Sequence, residues 1–72
     1  MRQNGGMQIH LNGELRQIAT GTTLALLVDA EGLAGRRVAL ELNGEIIPHA
    51  RHAEQSLEEG DRVEIVHALG GG

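Results

Sequence analysis

Gly70, Gly71 and Gly72 stand directly after a strand-like run, Arg62-Val63-Glu64-Ile65-Val66-His67-Ala68-Leu69. This ending puts a free carboxylate on a tail without side chains. Glycine has no Cβ to clash with a narrow channel and visits backbone regions closed to other residues. Three residues reach at most about 10 Å, enough to carry the carboxylate off a small domain and into a partner's active site. A carboxylate of solution pKa about 3.5 is ionised at neutral pH and is a poor electrophile. Once joined to AMP as an acyl-adenylate it becomes reactive, because AMP is a competent leaving group. A sulfur nucleophile can then displace AMP and leave a thiocarboxylate. The bland reading of the same residues is a frayed chain end.

Little else in the chain offers covalent chemistry. All six basic residues are arginines (Arg2, Arg16, Arg36, Arg37, Arg51 and Arg62), so there is no side-chain amine for a Schiff base or an isopeptide bond. There is no Cys, which removes a thiol nucleophile, a disulfide framework and a zinc knuckle together. Ser56 and the threonines have no evident triad setting. The sequence therefore has no catalytic residue to offer. A net charge of -4 and the absence of Phe, Tyr and Trp argue against a nucleic-acid reader, which needs a basic face and often stacking rings. No stretch approaches the eighteen or so apolar residues of a membrane span, and no secretion signal precedes the domain. The expectation is a soluble, cytoplasmic protein.

Seventy-two residues make one domain that buries only about 60% of its unfolded surface. Its core must come from Leu, Ile and Val, with help from Ala and Met7. Residues 1–6 read as a flexible polar leader, with Met7 resembling a second start. Met7, Ile9 and Leu11 alternate with Gln8 and His10, the period of a half-buried strand. Asn12-Gly13 is the strongest short hairpin signal, and Glu14 to Ala19 supplies the return strand. Thr22 or Thr23 can cap a helix in which Leu24, Leu27 and Val28 share one face. Leu26 falls off that face, and Gly32 is a natural stop. Val38, Leu40 and Leu42 alternate as a third strand. Asn43-Gly44 turns it into a short fourth strand, Glu45 to Ile47, ended by Pro48. His49 to Leu57 is a polar connection with room for one helical turn. Glu58-Glu59-Gly60-Asp61 turns into the last strand, Arg62 to Leu69.

Strand, strand, helix, strand, short strand, strand is the order of a β-grasp. The predicted class is α+β: a mixed sheet of four to five strands with one crossover helix, spanning residues 7–69, with a flexible glycine tail at 70–72. The last strand should lie in the sheet interior beside the first, which accounts for its apolar density.

The segment Val38-Ala39-Leu40-Glu41-Leu42-Asn43-Gly44-Glu45-Ile46-Ile47-Pro48, then Leu57-Glu58-Glu59-Gly60-Asp61-Arg62-Val63-Glu64-Ile65-Val66 and the glycine tail, resembles the ThiS family of bacterial sulfur carriers. The resemblance spans Met7 to Gly72. A terminal Gly-Gly is weak alone, but these features in this order are specific together. The resemblance implies a ubiquitin-like β-grasp carrier for making the thiazole half of thiamine. It implies an E1-like adenylyltransferase that uses ATP to activate the terminal glycine, here Gly72, with Gly70 and Gly71 entering the partner's active site. It also implies sulfur from a cysteine-desulfurase system and presentation of the thiocarboxylate to thiazole synthase. No cofactor is expected on the carrier itself. The leader before Met7 departs from the family pattern.

Three other readings remain open. The small subunit of molybdopterin synthase shares the fold and the Gly-Gly end, although its ending typically carries aromatic and proline residues that this chain lacks. A protein modifier would form amide links to target lysines. A non-covalent β-grasp interaction module would need no glycine tail at all. Among single residues, one of Val66 and Leu69 should be exposed beside the tail and suits partner docking. His49 and His52 have a spacing that suits two metal ligands on one helical face, yet no third ligand accompanies them, so no metal site is expected and a solvated loop is the alternative. His10 and His67 are expected to be neighbours on paired strands. Arg36-Arg37, and the acidic stretch of Glu54, Glu58, Glu59 and Asp61, are candidates for steering charged partners or plain solvated surface.

Overall fold

The computed structural model describes residues 6–67. They form strands β1 (Gly6–Leu11) and β2 (Glu14–Ala19), helix α1 (Leu24–Ala30), strands β3 (Val38–Leu42) and β4 (Glu45–Ile47), a single 3-10 turn at His49–Arg51, and strand β5 (Arg62–His67). The five strands make one mixed sheet in the order β2-β1-β5-β3-β4. β5 is parallel to β1 and antiparallel to β3. The last strand is therefore the middle strand, and the fold is the α+β β-grasp expected. Gly6 already pairs with Ala19, so the first strand starts one residue before the expected boundary at Met7.

Alternation does most of the work. Met7, Ile9 and Leu11 of β1, Leu40 and Leu42 of β3, and Val63 and Ile65 of β5 are buried on the face covered by α1. The helix contributes Leu24, Leu27 and Val28 at helical spacing. Leu26 lies off that stripe and is exposed. A helix of seven residues is too short to stand by itself. Its free N–H groups are taken instead by fixed partners: Thr23 Oγ1 accepts from Leu26 N at 3.2 Å, while the carbonyls of Gln55 and His52 accept from Leu24 N and Ala25 N, both at 3.0 Å. At the other end Gly32 N donates to Asp29 O and Leu33 N to Val28 O, both at 3.0 Å. This paired pattern closes the helix and turns Leu33 back onto the core.

The repeated Leu-Asn-Gly-Glu segments form two hairpin turns of one kind. Asn12 and Gly13 have φ of 51° and 85°, and Asn43 and Gly44 have 52° and 88°. Both central positions are left-handed, the geometry whose twist matches that of the flanking strands. The two Asn side chains then reach β5 from opposite sides. Asn12 Oδ1 accepts from Ile65 N at 2.8 Å, just past the point where β1 stops pairing. Asn43 Oδ1 accepts from Arg62 N at 2.8 Å, and its Nδ2 donates to Asp61 Oδ1 at 3.0 Å. Each Asn both makes a turn and pins the central strand.

Asn12→Ala and Asn43→Ala should therefore each cost about 1–2 kcal/mol, from a lost backbone partner and a strained left-handed residue. Leu26→Ala, on the exposed helix side, should stay within about 0.5 kcal/mol of the parent. Urea denaturation of the three variants checks this. Two Asn variants as stable as the Leu26 variant would show that the turns alone, without the side-chain bonds, fix β5.

Candidate functional site

The chemistry expected from the sequence sits on residues that follow β5, so the site is the rim from which β5 runs out. At that rim His67 lies opposite Val38, and Val66 opposite Ala39, in the ladder with β3. On the other side β1 pairs with β5 only as far as Val63. The end of β5 is thus held by β3 alone, plus the Asn12 bond to Ile65. Beside it opens a groove of about 280 Å³, with Arg16, Glu31 and His67 among its walls. Arg16 Nη1 donates to Glu31 Oε2 at 2.6 Å. That bond first, and the charge of Glu31 second, hold the guanidinium above its ordinary pKa.

The face of the sheet away from α1 carries the second part of the site. Val66 points outward and is 51% exposed, and Ile46 on β4 is 68% exposed. Ala39 lies next to Val66, and the row below reads Glu64, Glu41, Ile46 across β5, β3 and β4. Val66 is thus the exposed apolar residue that the alternation of Val63 and Ile65 implied. Leu69, its companion in that expectation, and Gly70, Gly71 and Gly72 lie outside the described residues. The pairing of Glu41 with Glu64 was missed in the sequence, because no single-strand pattern shows which residues oppose each other. Like charges directly opposite in a ladder cost stability, so this pair is not explained by folding.

Several sequence expectations are revised. His10 lies opposite Arg62, and His67 is five residues further along β5, so the two histidines are not neighbours. The cause is register: β5 begins alongside the end of β1 and continues past it. The acidic stretch lies beside β5, as Asp61 directly precedes that strand, at the end opposite His67. Much of that stretch is structural. Asp61 Oδ2 accepts from Glu58 N at 2.8 Å, and Glu59 Oε1 accepts from Gln8 N at 3.0 Å.

His49 and His52 do come together, with ring centroids 5.1 Å apart, but the loop is not simply solvated. His52 is 6% exposed, and its Nε2 lies 2.9 Å from the carbonyl of Ile47. A carbonyl only accepts, so Nε2 carries the proton and donates. That ring ties the edge strand β4 to the segment that starts α1. Among the described residues no group of three or more His, Cys, Asp or Glu could hold a metal ion. No helix among them is long and apolar enough to cross a membrane. Arg36 and Arg37 are exposed and border a larger groove of about 630 Å³ between α1, the start of β3 and the segment around His52.

The sequence profile of the ThiS family matches residues 9–72. A thiazole synthase of Magnetococcus marinus is 41% identical over 66 residues, which cover 92% of this chain. The chain spans only 20% of that relative's length. The sulfur carrier protein ThiS of Escherichia coli is 29% identical, with 92% of this chain and 100% of that protein covered. Among solved structures, the thiamine biosynthesis protein ThiS of Geobacter metallireducens superposes with a TM-score of 0.79 at 29% identity, covering 92% of this chain and 100% of its own. A match over nearly the whole chain, a shared fold and the ordered motifs agree: this chain belongs to the ThiS family.

Proposed function

We propose that this chain is a sulfur carrier of thiamine biosynthesis that works through a thiocarboxylate at Gly72 and is acted on by enzymes rather than being one. Family membership supports the carrier role. The observation that carries the mechanism is the placement of β5: the strand leading to the glycines is the middle strand of the sheet and is paired with β3 as far as His67, so the chain leaves from a strand anchored in the body.

The chemistry follows in two steps. In the first, a carboxylate oxygen of Gly72 attacks the α-phosphorus of ATP on an E1-like adenylyltransferase, and pyrophosphate leaves. In the second, the outer sulfur of a persulfide, supplied through a cysteine-desulfurase system, attacks the acyl carbon and expels AMP. A thiol then attacks the donor-side sulfur of the acyl disulfide, leaving with it as a disulfide and releasing the thiocarboxylate. The resulting thiocarboxylate is a soft nucleophile that stays attached to a protein until thiazole synthase receives it. Gly70 and Gly71 let the chain pass through a narrow entrance where a Cβ would collide. The body supplies the grip. On the outer face, Val66, Ala39 and Ile46 form an apolar patch around the Glu41–Glu64 pair. Such a surface suits a partner with an apolar contact and a basic side chain.

Deleting Gly72 should abolish adenylation, read as ATP–pyrophosphate exchange with the adenylyltransferase, and leave the melting temperature unchanged. A shortened chain that supports normal exchange would contradict the proposal. Gly71→Val should also block exchange at unchanged stability, whereas normal exchange would remove the steric argument for glycine.

The Glu64 position separates folding from docking. Glu64→Gln should raise stability by a few tenths of a kcal/mol through relief of the like-charge pair. The same change should weaken binding to the adenylyltransferase severalfold, most clearly at low salt. Thermal melts and a binding titration read the two effects, and tighter binding by the variant would show that the acidic pair plays no part in docking.

A further inference from the structure

The groove of about 630 Å³ behind β3 has no role in the carrier chemistry described so far. Its floor is apolar, built from Ala25, Val28, Leu33 and Val38, and Arg36 and Arg37 stand at its rim. Three observations bear on what it holds. First, the chain is acidic overall, with six basic residues against ten acidic ones, yet two adjacent arginines are placed at this one opening. Second, no ion pair to either arginine occurs among the described residues, where Arg16 is the arginine that has one. Third, Val38 of the groove lies opposite His67, the last residue of β5. A macromolecule that receives the chain beyond His67 must therefore pass close to this opening. Val66 and Ile46 of the patch lie on the other face of the sheet, and Ala39 borders both surfaces.

We infer that the groove behind β3 docks an acidic, apolar-tipped segment of the thiazole synthase, with its apolar side chain on the Val28–Val38 floor and its carboxylate between Arg36 and Arg37. Charge complementarity selects a carboxylate for a guanidinium pair, which presents planar donors matched to it. The apolar floor selects a side chain over a free ion. The synthase is the occupant rather than the adenylyltransferase because, in the Magnetococcus relative, the stretch similar to this chain belongs to a protein called thiazole synthase. This inference rests on the carrier reading proposed above and adds the surface by which the synthase recognises the body.

The test is a binding titration of thiazole synthase with the full chain and two variants, R36E/R37E and R51E, repeated at low and high salt. Arg51 is exposed on the neighbouring 3-10 turn and is not part of the groove wall. R36E/R37E should bind about tenfold more weakly at low salt, with a smaller difference at high salt as screening removes the charge term. R51E should bind like the parent. A thermal melt of each variant guards against unfolding, and Ala53→Asp, which puts a carboxylate on the groove wall without touching either arginine, gives a second reading and should also weaken binding. Unchanged binding by both groove variants would overturn the inference, and so would an equal loss with R51E, which would mean bulk charge rather than a docking groove. Whether the unaltered chain gains sulfur is a separate readout: no conversion there defeats the carrier reading, whereas conversion with indifferent groove variants defeats only the groove.

Discussion

The structure depends on holding its last strand in the middle of the sheet. A central strand normally gets this from two long neighbours, but β1 pairs with β5 over only two residues before it ends. The deficit is made up by side chains. Asn12 extends the β1 side with a bond to Ile65 N, and Asn43 clamps the entry at Arg62. The carbonyl of Asp61 and its side chain finish the entry by bonding His10 N and Glu58 N. With no aromatic residue and no disulfide available, these polar bonds carry a share of the specification that a larger core would supply through packing.

Much of this was legible in the sequence, for reasons that differ from element to element. The strands and the helix announced themselves through the two periodicities, because each buries a single face. The Asn-Gly turns were legible because left-handed φ at two successive positions admits few residues. A cap at Thr22 or Thr23 and a stop at Gly32 were legible because the backbone groups freed at helix ends need a partner, and the structure selects Thr23. What the residues did not disclose was register. Which residue of β5 faces which residue of β1 follows from where the turns stop, and so the separation of His10 from His67 and the meeting of Glu41 with Glu64 had to be seen in the assembled sheet. The burial of His52 was hidden for a related reason: its partner, the Ile47 carbonyl, belongs to the backbone and leaves no trace in residue type.

The same register shapes the candidate site. β5 outruns β1, so its end has a ladder on one side and a groove on the other. The apolar patch at Val66 lies on the open face of the sheet, and the arginine-rimmed groove lies on the helix side of β3. On the carrier reading proposed above, such surfaces on the two faces of the sheet would serve recognition by more than one enzyme. The acidic turn before β5 was a plausible steering element on sequence grounds. Two of the four carboxylates in the acidic stretch, those of Glu59 and Asp61, accept backbone N–H groups and so serve the fold.

The central claim is that this body exists to present one carboxylate for exchange of oxygen by sulfur. The most direct measurement is the intact mass of the chain after incubation with the thiamine-pathway adenylyltransferase, ATP and a sulfur donor, with the modified residue located by fragmentation. The account predicts the gain of a single oxygen-to-sulfur exchange, confined to Gly72. An unchanged mass, under conditions that convert the Escherichia coli carrier with its own enzyme, would contradict it.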